Sequence, residues 1–353
     1  MKLKKRLILT LFLIVFSIIL GVALSEWIAR RLEPLPVLTM LKNEPGSNGK
    51  YGIYGPAPGP MYFAPVPGRT LADVRINSLG LRDREYSKEK PKGTFRIVML
   101  GDSVAFGAGC PQEADFESLL EQGMAVDGYN VEVLNLGVPG YNVVMEAGYL
   151  AYKGLALKPD LVLVVIGPND LTETPVVLFE KNRMRLLFRI DVARDGIPWS
   201  FSLPFGIDRW LMVNSALARR LFRLFASPGT RMYKRLEEEN KQAMIKIDRL
   251  AHGVGARVVF ILMPEMRELN PYPLQDTHDR MMEYLTKNGE STIDLLPLIR
   301  KVAGHTWKDL RLSPNDTIHP NIKGHKLVAG ILKGPIEGIV ANMVEKHIRG
   351  DGD

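Results

Sequence analysis

The sequence predicts an α/β fold, a three-layer α/β/α arrangement around a parallel sheet of about five strands, with one membrane-spanning helix ahead of it. Three observations carry this. From Phe95 onward, short β-branched or apolar runs alternate with stretches of helical periodicity, as strands joined by crossover helices require. Each run ends in a turn that carries glycine together with serine, asparagine or aspartate, the residue types found at the carboxyl edge of an open parallel sheet. An almost unbroken apolar run follows a basic cluster at the N-terminus.

Residues 1–27 form the membrane segment. Lys2, Lys4, Lys5 and Arg6 precede Leu7 to Leu24, interrupted only by Thr10, Ser17 and Gly21. As a helix these residues rise about 27 Å, close to the roughly 30 Å of a bilayer core. A cleaved signal peptide is the alternative, because Ala23-Leu24-Ser25 resembles a small-residue cleavage site. The uncleaved anchor is preferred, since cleavable apolar regions usually run to about 7–15 residues. The basic cluster keeps the N-terminus cytoplasmic and sends the chain beyond Trp27 to the extracytoplasmic side, periplasmic or extracellular, although Arg30 and Arg31 reduce the asymmetry.

Residues 28–90 read as an N-terminal extension. Proline and glycine dominate 34–70 without helical or strand periodicity, which predicts an extended tether or a loop-rich platform. Val74 to Tyr86 is polar with scattered apolar residues and is a candidate edge element.

The enzyme-sized domain is expected over 91–349. Its strands are predicted at Arg96–Leu100, Val131–Leu136, Leu161–Ile166 and Arg257–Leu262, with a weaker fifth near Thr292–Leu295. Helices are predicted at Phe116–Ala125, Val143–Lys153, Glu237–His252 and Gly324–Ile348. An insert, residues 171–236, interrupts the alternation.

Composition narrows the function. Hydrophobic residues at 46% and charged residues at 24% exclude a disordered chain. The net charge of +7 is concentrated in the insert, where residues 180–235 hold 12 Lys and Arg against 4 Asp and Glu. No zinc-ligand spacing, RNP-like aromatic motif or basic region leading into heptads accompanies it, so no nucleic-acid partner is expected. Trp210 to Phe225 reads as a basic amphipathic helix, suited to an anionic lipid surface or, equally, to covering the core with a solvated arginine face. Directly after Asn169, the insert is well placed as a lid or substrate wall. Cys110 is the only cysteine, which excludes an intrachain disulfide and a cysteine-based zinc site. His278, His305 and Asp276 match no zinc spacing, and no metal or cofactor is expected.

Four blocks remain. Gly101-Asp102-Ser103 follows the first strand, where a hydroxyl at the start of a helix is exposed and favoured as an alkoxide by the helix dipole. Gly137, after the second strand, lets a backbone N–H approach a substrate oxygen, and Gly167-Pro168-Asn169-Asp170, after the third, offers a carboxamide donor. Asp316-Thr317-Ile318-His319 precedes the last helix, with a carboxylate spaced to orient the imidazole. Singly, each has a structural alternative: a helix cap at Ser103 or His319, a tight turn at Gly137, a turn or cap at Asn169.

In this order and placement the blocks resemble the SGNH (GDSL-like) hydrolase family, in a membrane-anchored bacterial form, over Phe95 to Lys326. The resemblance implies a flavodoxin-like α/β/α fold and a Ser-His-Asp triad of Ser103, His319 and Asp316. It also implies an oxyanion hole made by the Ser103 and Gly137 backbone N–H groups and the Asn169 side chain. Val104 stands where the family signature often has leucine, which keeps the position apolar, and small members lack the insert. The implied activity is cleavage of an ester, with O-acyl or acetyl groups on an envelope carbohydrate as the expected substrate. An O-acyltransferase on an envelope polysaccharide, a lipase or lysophospholipase acting on a lipid ester, and a non-catalytic glycan-binding assembly protein are the alternatives.

Overall fold

The protein is described by a computed structural model, which covers residues 2–32, 50–171, 176–180, 183–187, 215–218, 221 and 230–349. Helix α1 (Lys2–Leu32) is followed by two short antiparallel pairs, β1 (Lys50–Pro56) with β2 (Phe63–Pro65) and β3 (Thr70–Leu71) with β4 (Val74–Arg75). The domain then runs β5 (Phe95–Gly101), α2 (Ser103–Phe106), α3 (Phe116–Val126), β6 (Val131–Gly137), α4 (Val143–Tyr152) and β7 (Leu161–Ile166). The insert contributes a hairpin, β8 (Val176–Glu180) and β9 (Arg183–Leu187). After it come α5 (Thr230–His252), β10 (Arg257–Leu262), α6 (Gln275–Lys287), β11 (Thr292–Asp294), α7 (Leu295–Ala303) and α8 (Ile322–Arg349).

Five strands form one parallel sheet in the order β11-β10-β7-β5-β6. Every residue of β7 is buried, as expected of a central strand covered on both faces. Alternate side chains of β5 enter opposite layers. Ile97 and Met99 join α3, α7 and α8, whereas Val98 and Leu100 join α4, α5 and α6. The chain passes from β5 outward to β6 and then crosses back to β7 on the other side of β5. Strand order therefore reverses at β5, and a crevice opens at its carboxyl end.

Strand β6 is an edge, and its open side is closed by side chains rather than by another strand. Glu121 Oε2 accepts the Val133 N–H at 2.6 Å, Asp83 Oδ2 accepts the Asn135 N–H at 3.0 Å, and the Tyr86 hydroxyl reaches Val133 O at 2.8 Å. The Val74 to Tyr86 stretch thus borders the sheet as side-chain cover, with β4 its only strand.

Residues 50–70 also pack onto the domain, although their sequence shows no strand periodicity. Phe63 is fully buried, edge-on to Tyr54 and Tyr141, in the same core layer as α4. The remainder of the Pro/Gly-rich stretch, 33–49, lies outside the described residues.

Within α1, Ile8–Arg31 is long and apolar enough to cross a membrane. Its side chains from Ile8 to Leu24 are exposed. Ile322–Glu345 meets the same length and composition test, but it is α8, which buries Val328, Leu332, Ile336 and Val340 against α3 and the sheet. Most of the Trp210 to Phe225 segment lies outside the described residues; 215–218 touch the end of α1. Ser215 Oγ donates to Glu26 Oε2 at 2.7 Å, and the Ala216 and Leu217 N–H groups donate to the same carboxylate at 3.0 Å.

Candidate active site

Ser103 opens α2 at the carboxyl end of β5. Asp102 is the N-cap: its Oδ1 accepts the Val104 N–H at 2.8 Å, which leaves Ser103 as the first residue of the turn. The 311–320 loop brings the histidine to it. Arg311 and Pro320 form a bridge, Leu312 N–H donates to His319 O at 2.9 Å, and Arg311 Nε fastens the loop to Met266 O at 2.5 Å.

Inside this loop Asp316 folds back on itself. Its Oδ1 accepts the N–H groups of Ile318 and His319 at 2.9 and 2.8 Å, and its Oδ2 lies 2.9 Å from His319 Nδ1. An ionised carboxylate can only accept, so Nδ1 carries the hydrogen and Nε2 is left to accept. His319 Nε2 stands 2.8 Å from Ser103 Oγ. Burial opposes ionisation of Asp316, but the two backbone N–H groups and the imidazole outweigh it and hold the carboxyl below its ordinary range.

Asn169 sits in a 3-10 turn, Pro168–Leu171, after β7. Its Nδ2 donates to Asp102 Oδ2 at 2.8 Å and to Asp170 Oδ1 at 3.2 Å, so the carboxamide is fixed against the Asp102 cap. Gly137 departs from the sequence expectation. Its N–H donates to Asn135 Oδ1 at 2.9 Å and is not available to a substrate. The lack of a side chain serves packing instead, because a Cβ there would lie 2.4 Å from Phe106 N and drive α2 off β6.

The turn that follows holds a donor the sequence expectation passed over. Val138 N–H ties this turn to Gly101 O at 3.0 Å, and Gly140, at φ +82°, makes no backbone hydrogen bond through its N–H to any described residue. The Pro139-Gly140 pair is the turn signal that marks it.

The cleft beside these groups is walled by Val104, Val165, Met263 and Ile318, with Asp170 and Glu265 as polar members. Burial pushes the carboxyls of Asp102 and Glu265 above their ordinary values. Glu146 on α4 is almost fully buried, and neither of its carboxyl oxygens has a hydrogen-bond partner among the described residues. Burial, followed by the charge of Asp102, raises its carboxyl well above the ordinary value. Of the expected site residues, Ser103, Asp316, His319 and Asn169 meet at one sheet edge; no group of metal-ligating residues is present among those described.

A parallel α/β/α sandwich with an imidazole aligned between a carboxylate and a serine at its strand-order reversal has the form of an ester-bond hydrolase. The profile of the GDSL-like lipase/acylhydrolase family matches residues 99–327, and the chain belongs to that family. Among solved structures it is similar to LAE5, an alpha/beta hydrolase enzyme from the metagenome of Lake Arreo, at 17% identity and a TM-score of 0.44, covering 67% of this chain and 91% of that one. The psychrotrophic esterase EstA from Pseudoalteromonas sp. matches at 14% identity and 0.42, covering 70% and 98%. A catalytic mutant of Axe2, an acetylxylan esterase from Geobacillus stearothermophilus, matches at 14% and 0.41, covering 67% and 90%. No curated protein matches.

Proposed function

We propose that the protein is a membrane-anchored serine esterase that removes short O-acyl groups from a carbohydrate of the cell envelope, with its catalytic domain on the extracytoplasmic side. The observation that carries the catalytic part is the run of contacts from Asp316 Oδ2 to His319 Nδ1 at 2.9 Å and from His319 Nε2 to Ser103 Oγ at 2.8 Å. His319 takes the Ser103 proton as the alkoxide attacks the ester carbonyl, and Asp316 steadies the imidazolium that forms. The ester C–O bond then breaks, His319 returns the proton to the departing alcohol, and water, activated by the same imidazole, frees the acyl group from Ser103.

The developing oxyanion is received by the N–H groups of Ser103 and Gly140 and by Asn169. Gly140 replaces Gly137 in this role because the Gly137 N–H is committed to Asn135. For Asn169, the 3.2 Å contact to Asp170 is weaker than that to Asp102 and is the one an oxyanion exchanges for. The short acyl group fits the apolar wall of Val104, Met263 and Ile318. Membrane attachment is supported by the exposed apolar side chains of α1 and the basic residues at its start. The carbohydrate rests on that location alone.

Hydrolysis of p-nitrophenyl esters from acetate to octanoate tests the reading, together with acetate release from acetylated polysaccharides. Ser103→Ala and His319→Ala each lower kcat by at least about a thousandfold, and Asp316→Asn by roughly 10²–10⁴-fold. Removing the carboxamide in Asn169→Ala costs about 10²–10³. A rate that rises toward octanoate supports a lipase instead. Acetyl transfer to sugar hydroxyls in preference to water supports an acyltransferase, and no turnover with any ester supports a binding protein.

A further inference from the structure

The helix that carries Ser103 is one turn long, and a single turn leaves its own carbonyls to be satisfied from outside. Asp102 O accepts the Phe106 N–H at 3.0 Å, Ser103 O accepts from Ala108 at 3.0 Å, and Val104 O accepts from Gly107 at 3.2 Å. The next two carbonyls are taken by side chains from distant parts of the chain. Asn135 Nδ2, on β6, donates to Ala105 O at 2.9 Å, and Arg82 Nη1 donates to Phe106 O at 2.7 Å.

Arg82 is held as firmly as it holds. Its side chain is 1% exposed, Nη1 also meets Asp115 Oδ2 at 2.8 Å, and Nη2 donates to Cys110 O at 2.6 Å. The guanidinium lies over the Phe106 ring, 5.2 Å from its centre. The next residue, Asp83, braces the second grip by accepting the Asn135 N–H at 3.0 Å. Two adjacent residues ahead of the sheet, outside the residues the family profile matches, thus support the same turn from two sides.

We propose that Arg82 and Asn135 are positioning residues of the active site, forming a clasp that fixes the far end of α2 and so the placement of Ser103 toward His319. The inference rests on reading Ser103 as the nucleophile. A four-residue helix pivots easily, and a misplacement of about 1 Å at a reacting atom costs on the order of a hundredfold in rate. A planar guanidinium reaches Phe106 O, Cys110 O and Asp115 together; an ammonium at the same place is a point donor and cannot span all three.

The test uses the full-length chain in detergent, with p-nitrophenyl acetate as substrate and active sites counted by a fluorophosphonate. Counting sites removes any loss caused by partial unfolding. Arg82→Lys and Asn135→Ser each lower kcat per titrated site by about ten- to a hundredfold at a KM within about twofold of wild type. A purely structural role lowers the number of titrated sites and leaves kcat per site unchanged, and that result in either folded variant overturns the clasp for that residue. If Arg82→Lys does not fold, Asn135→Ser decides. Hydrolysis that survives Ser103→Ala brings down the reading of Ser103 as nucleophile on which the clasp rests; its loss there, with Arg82→Lys at full kcat per site, brings down only the clasp.

Discussion

His319 stands between a carboxylate and a hydroxyl, and which nitrogen carries the hydrogen follows from what each neighbour can accept. A second histidine, His325, one turn into α8, has the opposite fate. It is fully buried, stacks on Phe116, and accepts the Phe116 N–H through Nδ1 at 3.2 Å, while Nε2 has no partner among the described residues. Burial pushes its imidazole down to about 4, outweighing the attraction of Asp115. The folded protein therefore excludes a proton that the unfolded chain takes up below about 6.5. Stability contributed by the neutral ring is present above that value and falls as pH drops toward 4, by on the order of 3 kcal/mol in total. His325→Asn keeps an acceptor for Phe116 and removes the titration, so its melting temperature varies less between pH 6.5 and 4 than that of wild type. An equal slope in both proteins refutes this assignment.

Among the elements, the exposed side of β6 shows how the extension contributes to stability. The Tyr86 hydroxyl lies 2.8 Å from both Glu121 Oε2 and Val133 O, and shares its one hydrogen between a buried carboxylate and an edge carbonyl. Tyr86→Phe leaves these acceptors short of a donor and destabilises by about 1–3 kcal/mol, measurable by urea unfolding. The core strands were legible in the sequence as short apolar runs bounded by turn residues, and the longer helices as the segments between those runs. Helix α6 was not, because only His278, Met281 and Leu285 are buried along its polar length. Helix α7 follows β11 without an intervening turn residue, its N-cap Asp294 being the last residue of the strand, so no punctuation separates them. The site divides in the same way. Ser103, Asn169, Asp316 and His319 lie in short motifs just beyond strands or before a helix, whereas Arg82 reaches Phe106 across 24 positions by tertiary packing alone. Gly137 was legible as a glycine the fold requires, but its purpose is the approach of α2, which only the packing reveals.

Across the whole molecule, the apolar helix and the hydrolase domain meet at Glu26. Its carboxylate receives the Ser215 hydroxyl and two backbone N–H groups from the insert, at 2.7 to 3.0 Å. Ala29, one turn later, is buried. In the anchored reading, this contact puts residues 215–217 of the insert beside the bilayer surface. The expected outcome is that the expressed protein stays with membranes through an alkaline carbonate wash and keeps its N-terminal residues by intact mass. Release of a species beginning near Glu26 supports the cleaved signal peptide.

In the proposed mechanism Ser103 is the activated nucleophile, and the most direct measurement is the site of covalent modification by a fluorophosphonate, mapped by peptide mass spectrometry on the full-length chain. One adduct per chain on the peptide containing Ser103, absent in Ser103→Ala and formed at least about a hundredfold more slowly in His319→Ala, is the result predicted. An adduct on another residue, or ester hydrolysis that persists while Ser103 stays unmodified, contradicts it.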